Sequence, residues 1–264
     1  CIHTERITKL PDGDYTSSVY GDNNILTSVG NPVGLFYGYK TAGVFATDAE
    51  AKAAGKDGYL YMEDNAGLRN DFKAGDVHFI DQNNDGKISE LDKVVIGDPN
   101  PDIYGNIFAT INYKNLTLTM GWNYSLGNDV YNYQRSILNS GSTFYNQQVA
   151  EVAHWRYEGQ QTDLPRLAYG DPMGNNRFSD RWIEDGSYLR LKTLNLSYKV
   201  PVPGSWTWLQ GLTVWAQANN LLTFTKYLGS DPEFSIGNGV LYQGIDCGNI
   251  AQGRSFQCGV KINL

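Results

Sequence analysis

Strict two-residue alternation constrains this chain more than any other feature. In "SFQCGVKINL", Phe256, Cys258, Val260, Ile262 and Leu264 alternate with Ser255, Gln257, Gly259, Lys261 and Asn263. Successive side chains of a strand point to opposite faces, so this segment is a strand with one apolar and one polar side. The pattern recurs upstream. "YGNIFATINY" sets Gly105, Ile107, Ala109, Ile111 and Tyr113 on one face, and "LTLTMGWNYSL" does the same with Leu116, Leu118, Met120, Trp122, Tyr124 and Leu126. "LTVWAQANNLLTF" groups Leu212, Val214, Ala216, Ala218, Leu222 and Phe224, with Asn220 out of step. "SYLRLKTLNLSYKV" slips in parity near Thr193 and Leu194, as a β-bulge would make it.

The links between these segments bear on what covers the apolar face. Only Lys114 and Asn115 separate the first two strands, whereas residues 127–181 separate the second from the third. The short "PVPGSWTWLQG" comes next, followed by a second long span over about 225–252. Short and long links alternate, as periplasmic turns and extracellular loops do in an outer-membrane barrel. Tyr104, Tyr113, Tyr124, Trp182, Tyr188, Tyr198, Trp206 and Trp208 lie near strand ends, where aromatic girdles would stand. The expected fold is all-β, a piece of an antiparallel transmembrane β-barrel with long extracellular loops. Residues 1–103 are expected to hold barrel and extracellular-loop sequence, and residues 104–264 barrel strands with loops over 127–181 and 225–252. Alternation alone fits a soluble β-sandwich as well. A soluble, calcium-stabilised carbohydrate-binding module is therefore the alternative reading. One short helix is expected in "ATDAEAKAAG", residues 46–55, with Thr47 as its cap and Gly55 as its stop.

Composition excludes several classes. Net charge is −7 and basic residues form no stripe, so nucleic acid is not an expected partner. No apolar run is long enough for a transmembrane helix. Cys1, Cys247 and Cys258 have no metal spacing, and Cys258 is expected to pack on its apolar face. His3, His78 and His154 form no ligand or triad pattern, and no hydrolase, zinc-protease or phosphate-loop motif occurs, so no enzyme is expected. The acidic neighbours Glu184 and Asp185, and Asp231 and Glu233, read as solvated surface. Trp155, Tyr157, Phe178 and Tyr242 are loop aromatics that could stack on a sugar ring or a peptide.

The sharpest local motif is "DQNNDGKISELD", residues 81–92, which follows the calcium-loop template of EF-hands. Asp81, Asn83 and Asp85 fill the first, third and fifth positions, and Gly86 makes the sharp turn. Lys87 would contribute its backbone carbonyl, Ser89 would hold a water, and Asp92 takes the last position. Every donor is oxygen, which favours Ca²⁺ over transition metals. Flanking helices are missing, so a structural role is expected.

Four segments, in order, resemble the SusC/RagA-type TonB-dependent outer-membrane transporters. The first is "VGNPVGLFYGYKTAGVFATDAEA", through Gly30, Pro32, Gly34, Tyr37, Gly38, Tyr39, Gly43 and Phe45. The others are "AGDVHFIDQNNDGKISELDKVVIGDPNPDIYGN", "DRWIEDGSYLRLKTLNLSY" and "ANNLLTFTKYLGSDPE". The family usually ends in Phe, whereas this chain ends in Leu264. The resemblance implies a plugged barrel of about 22 strands, of which this chain is a C-terminal fragment in the outer membrane. It also implies a SusD-like surface lipoprotein as lid, the TonB complex acting through an N-terminal plug, and import of glycans or peptides. The calcium-type loop would then belong to the extracellular crown.

Overall fold

The computed structural model describes residues 5–20, 24–64, 66–205, 208–233, 236–237 and 239–264. Cys1, His3 and Trp206 lie outside the described residues. Five long strands, β1 (Ile103–Tyr113), β2 (Leu116–Leu126), β3 (Tyr188–Val200), β4 (Gly211–Thr225) and β5 (Ser255–Asn263), carry the alternating segments. They form one antiparallel sheet in chain order, each strand pairing with the next. Lys114 takes the left-handed conformation (φ 53°) that the two-residue hairpin between β1 and β2 requires.

Register fixes two rims. Ser125 pairs with both Tyr104 and Tyr188, and Tyr188 pairs with Thr225, so the loops over 127–187 and 226–254 leave from one rim. At the other rim Leu116 pairs with Tyr113 and Tyr198, and Gly211 with Asn263, so only short turns lie there. The first long loop runs six residues past the expected 181, because a 3₁₀ turn (Asp180–Trp182) and a short strand (Ile183–Asp185) precede β3.

The apolar face stays open. Ile107, Val214 and Val260 are 55, 43 and 59% exposed. A sandwich would bury these residues under a second sheet; here the face has no such layer. Cys258 accordingly lies exposed on this outward face rather than packed in a core. β1 and β5 each pair on one side only, so the sheet is a wall section with two open edges, not a closed barrel.

The parity slip is a bulge that grows across the sheet. Between Gly121 and Trp122 the partners on β3 jump from Thr193 to Leu191, leaving Lys192 outside the ladder. Between Leu191 and Thr193 the partners on β4 jump from Leu222 to Asn219, and Asn220 turns left-handed (φ 51°). The same side chains therefore face outward above and below the irregularity. Aromatic rings cover glycines across the ladder: Tyr124 over Gly105, Phe108 over Gly121 and Trp215 over Gly259.

Above the loop-bearing rim the remaining sequence forms a head with two hydrophobic cores. One combines Tyr39, Phe45, Leu60, Phe72, Val77 and Phe79 with Met173 from the first long loop. The other joins Val19, Ile25 and Phe36 to Tyr131, Trp182 and Ile245. Segments before β1 and both long loops thus share their cores. The expected helix is present as α1 (Asp48–Ala53), with the Thr47 hydroxyl accepting from the Glu50 N–H. Gly55 follows where a Cβ would lie 2.4 Å from the Gly58 carbonyl oxygen. A second helix, α2 (Tyr133–Leu138), is capped by Asn132 and too short to show a period in the sequence.

Trp182 does not join an aromatic girdle. It is buried in the second core between the guanidinium groups of Arg135 and Arg181, 5.2 and 4.9 Å from its ring. Its indole N–H donates to the Arg177 carbonyl, a partner that a lipid interface would not supply. Tyr104 and Tyr188 pair with Ser125 and so share the polar face. The outward aromatics include Tyr113 and Tyr198 at the short-turn rim, and Trp122, Tyr124, Phe224 and Phe256 toward the head.

Candidate functional site

The acidic loop is built on its own backbone. The Asp81 carboxylate accepts from the N–H groups of Asn84 (2.7 Å), Asp85 (3.3 Å) and Gly86 (2.7 Å). Asp85 accepts from Lys87 N–H at 2.8 Å and from the Asn83 side-chain amide at 3.0 Å. Asn84 (φ 59°) and Gly86 (φ 84°) make the left-handed turns that aim these N–H groups inward. The following Ile88 is buried, and its N–H donates to the Tyr61 carbonyl, while Tyr61 N–H donates to Gly86. The loop is thereby clipped to the strand Tyr61–Glu63. The Lys87 ammonium pairs with Glu63 at 2.6 Å, and this hydrogen bond holds the amine above its usual range.

Asp92 behaves differently. It is fully buried, and its oxygens accept from Gln82 N–H, Ser89 N–H and the Ser89 hydroxyl. Asp81, Asn83 and Asp85 thus share one turn, whereas Asp92 closes the loop from behind. The oxygen donors suit a hard cation, but among the described residues no three His, Cys, Asp or Glu side chains are grouped for a metal.

Lys87 and Ser89 also line a cleft of the head, of about 880 Å³, with Tyr20, Tyr39, Glu90 and Tyr133. Tyr20 and Tyr133 bring their rings to 4.5 Å. Within this cleft Lys93 pairs with Glu90 at 2.6 Å, and Arg177 lies over the Tyr39 ring at 5.1 Å. Burial pushes the Tyr39 hydroxyl up to about 12, against the nearby Arg177.

The loop aromatics singled out from the sequence do not converge on that cleft. Phe178 alone lines it, while packing edge-on against Phe36 and Tyr131. Trp155 covers Gly75, where a Cβ would meet the ring at 2.5 Å, and its indole donates to the Ala46 carbonyl. Tyr157 and Tyr242 are exposed elsewhere on the head.

Three of the four carboxylates read as solvated surface sit instead in ion pairs, Asp231 buried and Glu233 and Glu184 largely so, while Asp185 is exposed as expected. Asp231 meets Arg190 of β3 at 2.5 Å, and Glu233 meets the same guanidinium at 2.6 Å. Glu184 pairs with Arg135 of α2 at 2.6 Å and accepts from the Asn132 amide. Burial pushes the Asp231 carboxyl up, but Arg190 and the N–H groups of Gln252 and Glu233 outweigh it and hold it below its usual range. Each correction has one physical reason: an arginine from a neighbouring element reaches the carboxylate and permits its burial. The visible signal was the "RLK" and "DPE" segments; what it did not show is that they touch.

No family model matches the chain. Its relatives are nonetheless consistent. It is 32% identical over 98% of its length to TonB-dependent receptor P3 of Formosa agariphila, covering 25% of that protein. It is 34% identical over 92% of its length to receptor P26 of the same organism, covering 24% of that protein. Against TonB-dependent receptor SusC of Bacteroides thetaiotaomicron it is 26% identical over 70% of its length, covering 17% of that protein. The structure of the RagAB peptide importer in its closed-closed state superposes with a TM-score of 0.69 at 23% identity, over 97% of this chain and 26% of that one, which shows the fold. The chain spans about a quarter of the length of the F. agariphila receptors it matches. It belongs to the SusC/RagA-type TonB-dependent receptors and comprises one section of their barrel wall with its loops.

Proposed function

We propose that this chain forms part of an outer-membrane importer, in which β1–β5 stand in the bilayer and the head faces outward. The observation that carries this reading is the uncovered apolar face, backed by a hydrogen-bonded polar one. On the polar face Thr117 donates to Asn112, Gln217 to Asn219 and Asn219 to Ser255, at 2.7 to 3.0 Å. Lipid is the solvent that suits the first face, and a wet interior suits the second. The complete receptor takes up a glycan or a peptide, capped by a SusD-like surface lipoprotein and driven through the TonB complex. Support comes from the names of its relatives: receptors dependent on TonB, SusC itself, and a peptide importer of the same fold. These are receptors and an importer, which accords with a protein that is not an enzyme.

In this reading Asp81, Asn83, Asp85 and the Lys87 carbonyl would hold Ca²⁺, with Ser89 and Asp92 as the remaining residues of the motif. A bound Ca²⁺ would stiffen the turn that lies between the Tyr61–Glu63 strand and the 880 Å³ cleft. The test of the import reading uses the complete receptor in its own cells. Uptake of labelled glycan and peptide pools is measured with and without the receptor, and with a protonophore. Loss of uptake of one pool in both depleted states supports it. Receptor recovered from the aqueous fraction, or uptake indifferent to the protonophore, ends it.

A further inference from the structure

The head presents a second groove that neither the acidic loop nor the large cleft explains. It has a volume of about 480 Å³ and lies where the start of the first long loop meets residues 167–169. Its two walls are tied by backbone: Ala168 N–H donates to the Gly141 carbonyl, and Gly170 N–H to the Ser142 carbonyl, at 3.2 and 2.9 Å. Gln148 N–H returns to the Leu138 carbonyl at the end of α2, closing the loop between. Gly141 (φ 60°) sits where a Cβ would meet Leu167 at 2.7 Å, so the close approach of the walls depends on it.

On this frame Phe144 and Tyr169 stack, with ring centroids 4.8 Å apart and planes 26° from parallel. They are nonetheless 91 and 75% exposed. Neighbouring exposed rings outside the membrane-facing wall, held by a fixed backbone, mark a binding surface. The lining supplies two amides, Asn146 and Gln147, with the hydroxyls of Ser142 and Tyr145, and no charged side chain at all. The large cleft, by contrast, is lined with Lys87, Glu90 and Lys93.

We propose that this groove is a binding platform for a neutral saccharide. A pyranose ring offers an apolar C–H face edged by hydroxyls. The apolar face matches a flat aromatic surface, and the hydroxyls match amide and hydroxyl partners around it. A peptide would bring charged termini and side chains, for which the lining has no counterpart. The proposal deepens the import reading by naming the class of solute that the outward head meets first.

The experiment uses the detergent-purified complete receptor with its surface lipoprotein. It is applied to an array of neutral oligosaccharides (glucans, xylans and mannans) and titrated with each that binds. The Phe144→Ala/Tyr169→Ala double variant is expected to lower affinity by about tenfold or more, while Tyr169→Phe keeps it. A mixed charged-peptide pool is expected not to compete. Heat-modified gel mobility confirms that both variants fold. The proposal is overturned if no neutral oligosaccharide binds, if the double variant binds like the parent, or if peptides compete. It is also overturned if the variant sheds its lipoprotein with saccharide affinity unchanged, which would make the groove a protein contact. Normal saccharide binding by the double variant, alongside import that requires the receptor, would remove the platform and leave the import reading intact.

Discussion

Arg190 of β3 and Asp231 of the second long loop meet at 2.5 Å with their side chains only 4 and 3% exposed. The pair joins wall to head. Glu233 and the bulged Lys192 extend it, and Gln252 is drawn in from the far end of the same loop. Removing the cation would leave the buried Asp231 without its ion-pair partner and Glu233 with Lys192 alone. Arg190→Met is therefore expected to cost about 3–5 kcal/mol. In the complete receptor the loss should show as a lower melting point on heat-modified gels and faster proteolysis within 226–254. An unchanged melting point would mean that solvent reaches the pair.

Leu194 pairs with Met120 and Ala218 on the outward face, near mid-height of the sheet. If lipid covers that face, Leu194→Arg places a cation near the bilayer centre and destabilises the barrel by about 2–4 kcal/mol. Thr193→Arg, on the polar face beside it, should cost much less. Reconstitution in vesicles and urea titration compare the two, and equal effects would refute the assignment of faces.

His78 stacks on Phe45 at 4.3 Å, and burial lowers its pKa against the pull of Glu50. A depressed histidine favours the neutral ring in the folded state. Its contribution is therefore fully present above the ordinary value of 6.5 and is lost as pH falls from there through the folded value. The head should melt at lower temperature at about pH 5 than at about pH 7.5. His78→Asn should flatten that difference.

Gly38 lies where a Cβ would stand 2.6 Å from the Phe178 ring and 2.9 Å from Ile96. Gly38→Val overfills the contact between the Leu35–Gly38 strand and the first long loop, and about 1–3 kcal/mol of destabilisation is expected. Differential scanning fluorimetry reads it directly, and a neutral result would mean that the loop yields.

Calorimetry with Ca²⁺ tests the acidic loop. Asp81 organises three backbone N–H groups and stands first in the motif, so Asp81→Ala should abolish uptake and expose residues 81–92 to protease. Equal uptake in the variant would show that the ligands lie elsewhere.

The wall was legible because period two is a local signal. Faces, hairpin, bulge and the order of short and long links all follow from neighbouring residues. α1 was legible through Thr47 and Gly55. The head was not, because its cores join positions far apart in sequence. Nothing beside Trp182 announces that Ile25 and Ile245 surround it, and nothing beside Asp231 announces Arg190, forty-one residues away. The short strands Tyr61–Glu63 and Val77–Phe79 are three residues long, below the reach of any period.

One rim of the sheet is stitched by short links, residues 114–115 and 201–210, while the other releases chains of unrestricted length. Lengthening or replacing a segment on that free side leaves every ladder bond in place, because loop closure grows only slowly with size. Such a scaffold can exchange what it recognises while keeping how it sits in its surroundings.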